Sequence, residues 1–138
     1  MMKKEMEEAL NEQINAEIYS SYLYLSMAAY FDSMNLSGFS NWMKIQAQEE
    51  LTHAVKFFNF VGERSGRVAL KAIAGPPTEW ESPLAVFEAT YQHEVHVSEL
   101  INKLVDLSIQ LSDHAANNLL QWFVAEQVEE EASADDIV

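Results

Sequence analysis

Glutamate interrupts the apolar stripe of each of four predicted helices, and this pattern restricts the folds open to the chain. The four positions are Glu17, Glu50, Glu94 and Glu130. Each lies where helical spacing predicts a buried side chain. A buried carboxylate without compensation costs several kcal/mol, and a multivalent cation compensates several of them at once. The sequence therefore predicts a helical bundle that packs around a metal site.

The second predicted helix shows the pattern most clearly. Its stripe alternates steps of four and three residues, as the seam of a bundle requires, and consists of Phe39, Met43, Gln46, Glu50, His53, Phe57 and Phe60. Glu50 and His53 form a Glu-x-x-His motif, which projects both side chains to one side of the helix. Alone the motif is weak, because it occurs by chance on many helices. A hydrogen-bonded polar layer is the alternative to a metal site.

Helix-capping and helix-breaking residues divide the chain into four helices and one long connection. The predicted elements are helices over about 4–33 and 37–65, a connection over 67–81 that contains Gly75-Pro76-Pro77, and helices that begin at Ser82-Pro83 and Ser112-Asp113. Ser37 is a candidate N-cap, and Gly66 is a candidate C′ residue. Fifteen extended residues at roughly 3.3 Å each are long enough to cross a bundle. We therefore predict an all-α bundle with one long crossover.

The fourth predicted helix reaches Ile137-Val138 without a stop signal. No Gly, Pro or basic residue occurs in its last turn. Asp135 and Asp136 oppose the helix dipole there. The sequence therefore predicts a fourth helix that is cut short.

Composition limits the metal, the partners and the location that we expect. The chain has no Cys, so any metal is held by oxygen and imidazole, which suits iron, manganese or zinc. The 22 acidic and 8 basic residues give a net charge of −14, which repels nucleic acid and anionic membranes and attracts cations. We find no signal-peptide pattern and no membrane-length apolar run. We expect one cytoplasmic domain over residues 1–138.

Three stretches make the chain resemble a non-haem ferritin of the bacterial and archaeal type. They are NEQINAEIYSSYLYLSMAAYF, AQEELTHA and LQWFVAEQVEEEASA. The resemblance extends over the whole chain and implies a ferritin-like four-helix bundle, with the long crossover between helices two and three. Members of the family continue with a short fifth helix. We expect this helix to be absent here.

The resemblance also implies a di-iron ferroxidase centre. Its residues are Glu17, Glu50, His53, Glu94, Gln127 and Glu130. Glu17, Glu50 and His53 would hold the first iron. Glu50 would bridge to the second iron, which Glu94 and Glu130 would also hold. Gln127 would lie nearby.

Further positions have counterparts in the family. A third iron site corresponds to Glu49, Glu126, Glu129 and Glu130. Without the resemblance, residues 129–131 are also typical of a solvated acidic face. Tyr24, two turns beyond Glu17, corresponds to a tyrosine that can supply an electron. Leu51 stands where bacterioferritins have a methionine that ligates haem, so no haem is expected.

The resemblance implies an iron-storage subunit that oxidises Fe²⁺ to Fe³⁺ with O₂ or H₂O₂ and deposits a ferric oxyhydroxide mineral inside a cage. The family's cage has 24 subunits, and a homo-oligomer is expected here. Gln127-Val128-Glu129-Glu130 replaces a second Glu-x-x-His motif, which favours iron that passes through over iron that is held. Two alternatives remain: a di-iron peroxidase or oxidase with fixed metals, and a truncated variant that assembles but oxidises nothing.

Overall fold

Four helices and no strand make up the computed structural model, which describes residues 1–138. The helices are α1 (Lys4–Ser33), α2 (Ser37–Glu63), α3 (Pro83–Gln110) and α4 (His114–Ile137). The chain divides into two compact units, the first comprising Met1 and residues 7–81 and the second residues 2–6 and 82–138. The all-α prediction is confirmed, whereas the expectation of a single domain stays a prediction. None of the helices has a stretch long and apolar enough to span a membrane.

In the first unit, α1 and α2 form an antiparallel pair. The rings of Phe31 and Phe39 lie 5.3 Å apart next to the short turn that joins the helices. Farther along, the Ser21 hydroxyl donates a hydrogen bond of 2.8 Å to the carbonyl oxygen of Ala47. As the residue number falls along α1, its partner's number rises along α2. This direction sets the middle of α1 against the middle of α2.

The predicted seam of α2 is confirmed at its centre and wrong at its ends. The buried members are Met43, Gln46, Glu50, His53 and Phe57. Phe39, in the first turn, is 42% exposed. At the other end, Val61 is buried in place of Phe60. A stripe with an average step of 3.5 residues drifts about 20° per heptad from an ideal helix, so at the C-terminal end burial moves from Phe60 to Val61.

The connection over residues 64–82 runs along α1. At its beginning, the Asn11 side-chain amide donates to the carbonyl oxygen of Arg67 at 3.0 Å. Near its end, the rings of Trp80 and Tyr30 pack edge to face with their centroids 5.5 Å apart. The helix rises about 28 Å between Asn11 and Tyr30, at 1.5 Å per residue. The long connection between α2 and α3 that the sequence predicts is therefore confirmed.

In the second unit, α3 packs against α4. The side-chain amide of Asn117 donates to the Ser108 hydroxyl at 3.1 Å, and that of Gln127 donates to the Ser98 hydroxyl at 3.2 Å. As the residue number falls along α3, its partner's number rises along α4, so the two helices are antiparallel. Their apolar interior consists of Val86, Phe87, Val97, Ile101, Leu104, Ala116, Leu120, Phe123 and Ala134.

The predicted starts of α3 and α4 are confirmed, and that of α2 is corrected. The Ser82 hydroxyl accepts a hydrogen bond from the Ala85 amide, with Pro83 as the first helical residue. The Asp113 carboxylate accepts one in the same way at the start of α4. Ser37 is already helical, and Leu36 occupies the N-cap position without a side-chain cap. The backbone N–H groups at that end therefore lack the side-chain acceptor that Ser82 supplies to α3.

The end of α2 departs from the prediction by one residue. Ser65 adopts the left-handed conformation, with φ of 60°. The Gly66 amide donates to the carbonyl oxygen of Val61 at 2.8 Å, and the Ser65 amide donates to that of Gly62 at 3.1 Å. This pattern is a Schellman motif in which Ser65 is C′ and Gly66 follows it. The helix thus ends on a residue whose Cβ disfavours the required backbone angle.

Glycine at position 65 is expected to stabilise the protein. The left-handed conformation costs a residue with a Cβ roughly 1–2 kcal/mol, and glycine loses about half of that gain to its larger unfolded-state entropy. Ser65→Gly should therefore raise the melting temperature by about 2–4 °C in thermal unfolding followed by circular dichroism. Ser133→Gly, at an exposed position inside α4, should lower it. A fall in both variants would contradict the strain assigned to Ser65.

Candidate metal centre

Glu17, Glu50 and His53 come together in the first unit. These residues are 1%, 0% and 3% exposed, respectively. His53 Nδ1 lies 3.3 Å from Glu50 Oε2 and 3.8 Å from Glu17 Oε2. Ligand atoms of all three residues lie within 4.8 Å of one another. Two carboxylates and one imidazole thus surround a position of the size and ligand type that a divalent transition metal takes.

The local sequence explains why these three residues meet. Glu50 and His53 are three positions apart on α2, so they share its buried face. Glu17 lies in the middle of α1, on the stripe that the antiparallel pairing sets against that part of α2. The cluster is therefore a direct consequence of the two helical stripes and of the short turn between α1 and α2.

Gln13 leaves Glu17 with one oxygen for another partner. The Gln13 side-chain amide donates to Glu17 Oε1 at 3.0 Å, and both residues are buried one turn apart on α1. The other oxygen, Glu17 Oε2, accepts no hydrogen bond. It faces His53 Nδ1 at 3.8 Å, which is too long for a hydrogen bond. A buried carboxylate oxygen in this state is suited to a cation.

The pKa of the Glu17 carboxyl lies below its ordinary value of 4.5. Burial by itself raises this pKa, because it disfavours the charged form. Interactions with His53, Glu50 and Gln13 outweigh the effect of burial and lower the pKa. Glu17 is therefore ionised at neutral pH, which is the form that binds a metal.

Removing the Gln13 amide is expected to weaken cation binding at this cluster. Gln13→Met keeps the length of the side chain but leaves Glu17 free to turn, so the affinity for Zn²⁺ should fall by about 10-fold in calorimetric titrations. Gln46→Met is the matched control, because Gln46 is also buried in this unit but makes no hydrogen bond to a cluster residue. Equal affinities for the two variants would contradict the role of Gln13.

The second unit holds its own buried polar side chains, Glu94, Gln127 and Glu130. The Gln127 side-chain amide nitrogen lies 3.2 Å from both the backbone oxygen and Oε2 of Glu94 and donates to them. An amide nitrogen does not ligate metals, so Gln127 acts on Glu94 as a hydrogen-bond donor. Glu94, Gln127 and Glu130 as parts of an iron site stay a prediction.

The residues predicted for a third iron site differ in exposure. Glu49 and Glu126 are half-buried, Glu129 is exposed and Glu130 is buried. The exposure of Glu129 agrees equally with a solvated acidic face, so the third site stays a prediction. Tyr24 is fully buried on α1, about 10 Å along the helix axis from Glu17. Its role as an electron donor also stays a prediction.

Sequence reasoning missed two polar contacts of the structure, Gln13 with Glu17 and Ser98 with Glu131. Gln13 precedes Glu17 by four residues, and this i, i+4 spacing was the available signal for their contact. The Ser98 hydroxyl donates to Glu131 Oε2 at 2.6 Å and accepts from Gln127. Ser98 and Glu131 lie 33 residues apart, so no local spacing indicates this contact.

Comparisons with known proteins agree with the sequence resemblance. Residues 7–138 match the family model described as a ferritin-like domain. The bacterial non-heme ferritin of Bacteroides fragilis is 46% identical over 138 residues, which span all of this chain and 87% of that protein. The bacterial non-heme ferritin of Campylobacter jejuni is 40% identical over all of this chain and 83% of that protein.

Solved structures give the same result. An open pore ferritin from the hyperthermophilic archaeon Archaeoglobus fulgidus is 64% identical, with a TM-score of 0.98 over 99% of this chain and 84% of that one. A humanized archaeal ferritin is 63% identical, with a TM-score of 0.98 over the same shares. This similarity confirms the expected fold class, an all-α four-helix bundle with a long connection between its second and third helices.

Proposed function

The chain belongs to the ferritin family, and on that premise we propose that it oxidises Fe²⁺ to Fe³⁺ at a di-iron centre and stores the product as a mineral. The observation that carries this proposal is the buried cluster of Glu17, Glu50 and His53. Iron is the substrate, and it passes through the site. Iron storage as a family property and the chemistry of this ligand set thus support the same activity.

The first Fe²⁺ is held by Glu17, Glu50 and His53. Carboxylates are hard ligands that favour Fe³⁺ over Fe²⁺, so they make loss of an electron easier. The imidazole of His53 adds selectivity for a transition metal over Mg²⁺ or Ca²⁺. The lowered pKa of Glu17 keeps this ligand charged before iron arrives. No proton has to leave Glu17 when the cation binds.

The second Fe²⁺ is assigned by family resemblance to Glu50, Glu94 and Glu130. Two Fe²⁺ ions about 3.5–4 Å apart supply the two electrons that reduce one O₂, with two protons, to H₂O₂. Each iron loses one electron and becomes Fe³⁺, so the electrons balance. Hydrolysis of Fe³⁺ then releases protons and gives the ferric oxyhydroxide. The third site, at Glu49, Glu126, Glu129 and Glu130, takes iron on its way to the mineral.

Ferritins form oligomeric cages, and we assign the same state to this chain. Half-exposed apolar side chains on the outside of α2 support it: Leu51, Val55 and Phe58 follow one another at steps of four and three residues and share one face. We call these three residues the α2 outer stripe. A second copy of the chain covers them. By resemblance the assembly has 24 subunits.

Oxygen consumption after addition of Fe²⁺, combined with size analysis, tests this function. We expect rapid oxygen uptake that continues for many iron ions per subunit, with iron recovered in the oligomer fraction. A di-iron peroxidase with fixed metals would retain about two ions per subunit and grow no mineral. A protein that assembles but consumes no oxygen would contradict the proposal.

A further inference from the structure

A chain of hydrogen bonds in the second unit joins a buried glutamate to a partly exposed one. Glu94 and Gln127 are buried, whereas Ser98 and Glu131 are half-buried. The Gln127 amide nitrogen lies 3.2 Å from both Glu94 Oε2 and the Ser98 hydroxyl oxygen. The Ser98 hydroxyl in turn lies 2.6 Å from Glu131 Oε2. Four side chains from α3 and α4 are thus linked in one line.

The direction of each hydrogen bond in this line follows from chemistry. A carboxylate only accepts hydrogen bonds, so the single hydroxyl proton of Ser98 points to Glu131. With that proton engaged, the Ser98 oxygen can only accept from Gln127. The group of Gln127 that faces Ser98 must therefore be the amide NH₂, since the carbonyl oxygen of Gln127 has no proton to give. Glu131 thus helps to set the orientation of Gln127 through Ser98, together with the backbone oxygen of Glu94, which also accepts from the Gln127 amide at 3.2 Å.

The orientation of Gln127 determines what Glu94 offers to a cation. The amide NH₂ that faces Ser98 also donates to Oε2 of Glu94, and this hydrogen bond fixes how the carboxylate of Glu94 is turned. Gln13 does the same to Glu17 in the first unit, at 3.0 Å. Each unit therefore contains a buried glutamine that occupies one oxygen of a buried glutamate.

We propose that Ser98 and Glu131 are positioning residues for Glu94, acting through the amide of Gln127. The inference deepens the proposed function, in which Glu94 is a ligand of the second iron. Ser98 and Glu131 touch no iron themselves. They hold Gln127 as a donor, and this keeps one oxygen of Glu94 directed to the metal.

A cavity next to Ser98 determines which substitution of this residue is informative. A cavity of about 110 Å³ is lined in part by Ser98, Asn102, Gln127 and Glu131. If Ser98 were replaced by alanine, a water molecule would fit there and take over the hydroxyl's hydrogen bonds. Valine and threonine have the same shape and leave no such space, but only threonine keeps a hydroxyl. Ser98→Val and Ser98→Thr are therefore the informative pair.

Titration of the full assembly with Co²⁺ measures the effect, followed by visible absorption and calorimetry. We expect two tightly bound Co²⁺ ions per subunit in the wild type, both at the di-iron centre and ahead of any ion at the third site. In Ser98→Val the second binding step should be about 10- to 100-fold weaker, as is usual when a group that orients a ligand is lost. The absorption bands of the second ion should change, and the first step should not. Ser98→Thr should restore the second step, and Glu131→Leu should resemble Ser98→Val.

Ser108→Val is the matched control. Ser108 also lies on α3 and accepts a hydrogen bond from α4, through Asn117 at 3.1 Å. It is about 15 Å along the helix from Ser98. An unchanged second step in Ser98→Val, an equal loss in Ser108→Val, or no restoration by threonine would overturn the positioning role alone. A wild type that binds only one Co²⁺ would overturn the di-iron proposal and this inference together.

Discussion

Alanine at Glu50 or His53 should slow Fe²⁺ oxidation by about 100-fold or more, because each substitution removes a metal ligand from the cluster. Glu50 is the residue that both proposed iron sites share, so its loss affects both ions. Stopped-flow absorbance of Fe³⁺ formation and an oxygen electrode measure the rate. Helical content should not change, since alanine is a strong helix former.

The same substitutions separate function from stability. Each substitution removes one member of a buried polar cluster and leaves the others without it, so the free energy of unfolding of the metal-free protein should fall, and loss of oxidation in a variant that circular dichroism shows to be folded is assigned to the site. Glu99→Ala and His96→Ala are controls at exposed positions of α3 and should oxidise iron at the normal rate. Fast oxidation by both Glu50→Ala and His53→Ala would refute the site.

Lysine at Val55 and Phe58 is expected to break the oligomer into smaller species. Burial of an apolar side chain of this size contributes about 1.5–3 kcal/mol, and a symmetric interface uses each position twice. Two buried charges in place of two apolar groups should therefore outweigh the affinity of the contact. Sedimentation velocity measures the size, and circular dichroism shows that the subunit is still helical.

Asn41→Lys adds the same charge to α2 at an exposed polar position that is not three or four residues from any member of the α2 outer stripe, and it should leave the oligomer intact. The Glu17, Glu50 and His53 cluster lies within one chain, so the dissociated Val55→Lys, Phe58→Lys variant should still bind Co²⁺. Normal assembly of that variant would show that the α2 outer stripe is not an interface between copies.

Periodicity was sufficient to predict the helices and the buried acids. Glu17, Glu50, Glu94 and Glu130 interrupt apolar stripes, and all four are buried. A stripe records which face of a helix is buried, and that information is local in the sequence. The long connection was predictable for a similar reason, since Pro76 and Pro77 interrupt a helix and Gly75 disfavours one.

Details that depend on geometry at the ends of helices were not predictable in this way. Ser65 takes the left-handed position expected for Gly66, because the helix ends one residue earlier than the glycine suggests. Ser37 is helical and caps nothing, although its residue type favours a cap. Both depend on which turn of α2 is the last to form backbone hydrogen bonds, and side-chain preferences fix that only to within a residue or two.

The hydrogen bonds that support the site residues were predictable only where both partners lie on one helix. Gln13 contacts Glu17 within one helix, whereas Ser98 and Glu131 meet across two helices. The second contact depends on the rotation of α3 against α4, which no spacing in one helix specifies. Whether Glu129 is a ligand or part of a solvated face also depends on its surroundings, since its exposed position agrees with both.

The most direct test is anomalous scattering at the iron edge from crystals soaked with Fe²⁺ without oxygen. We predict a strong peak among the carboxylate oxygens of Glu17 and Glu50 and the imidazole of His53. A second peak, about 3.5–4 Å away, should be bound by Glu50 with Glu94 and Glu130. Iron found only on exposed acidic side chains, with no peak beside His53, would contradict the di-iron centre.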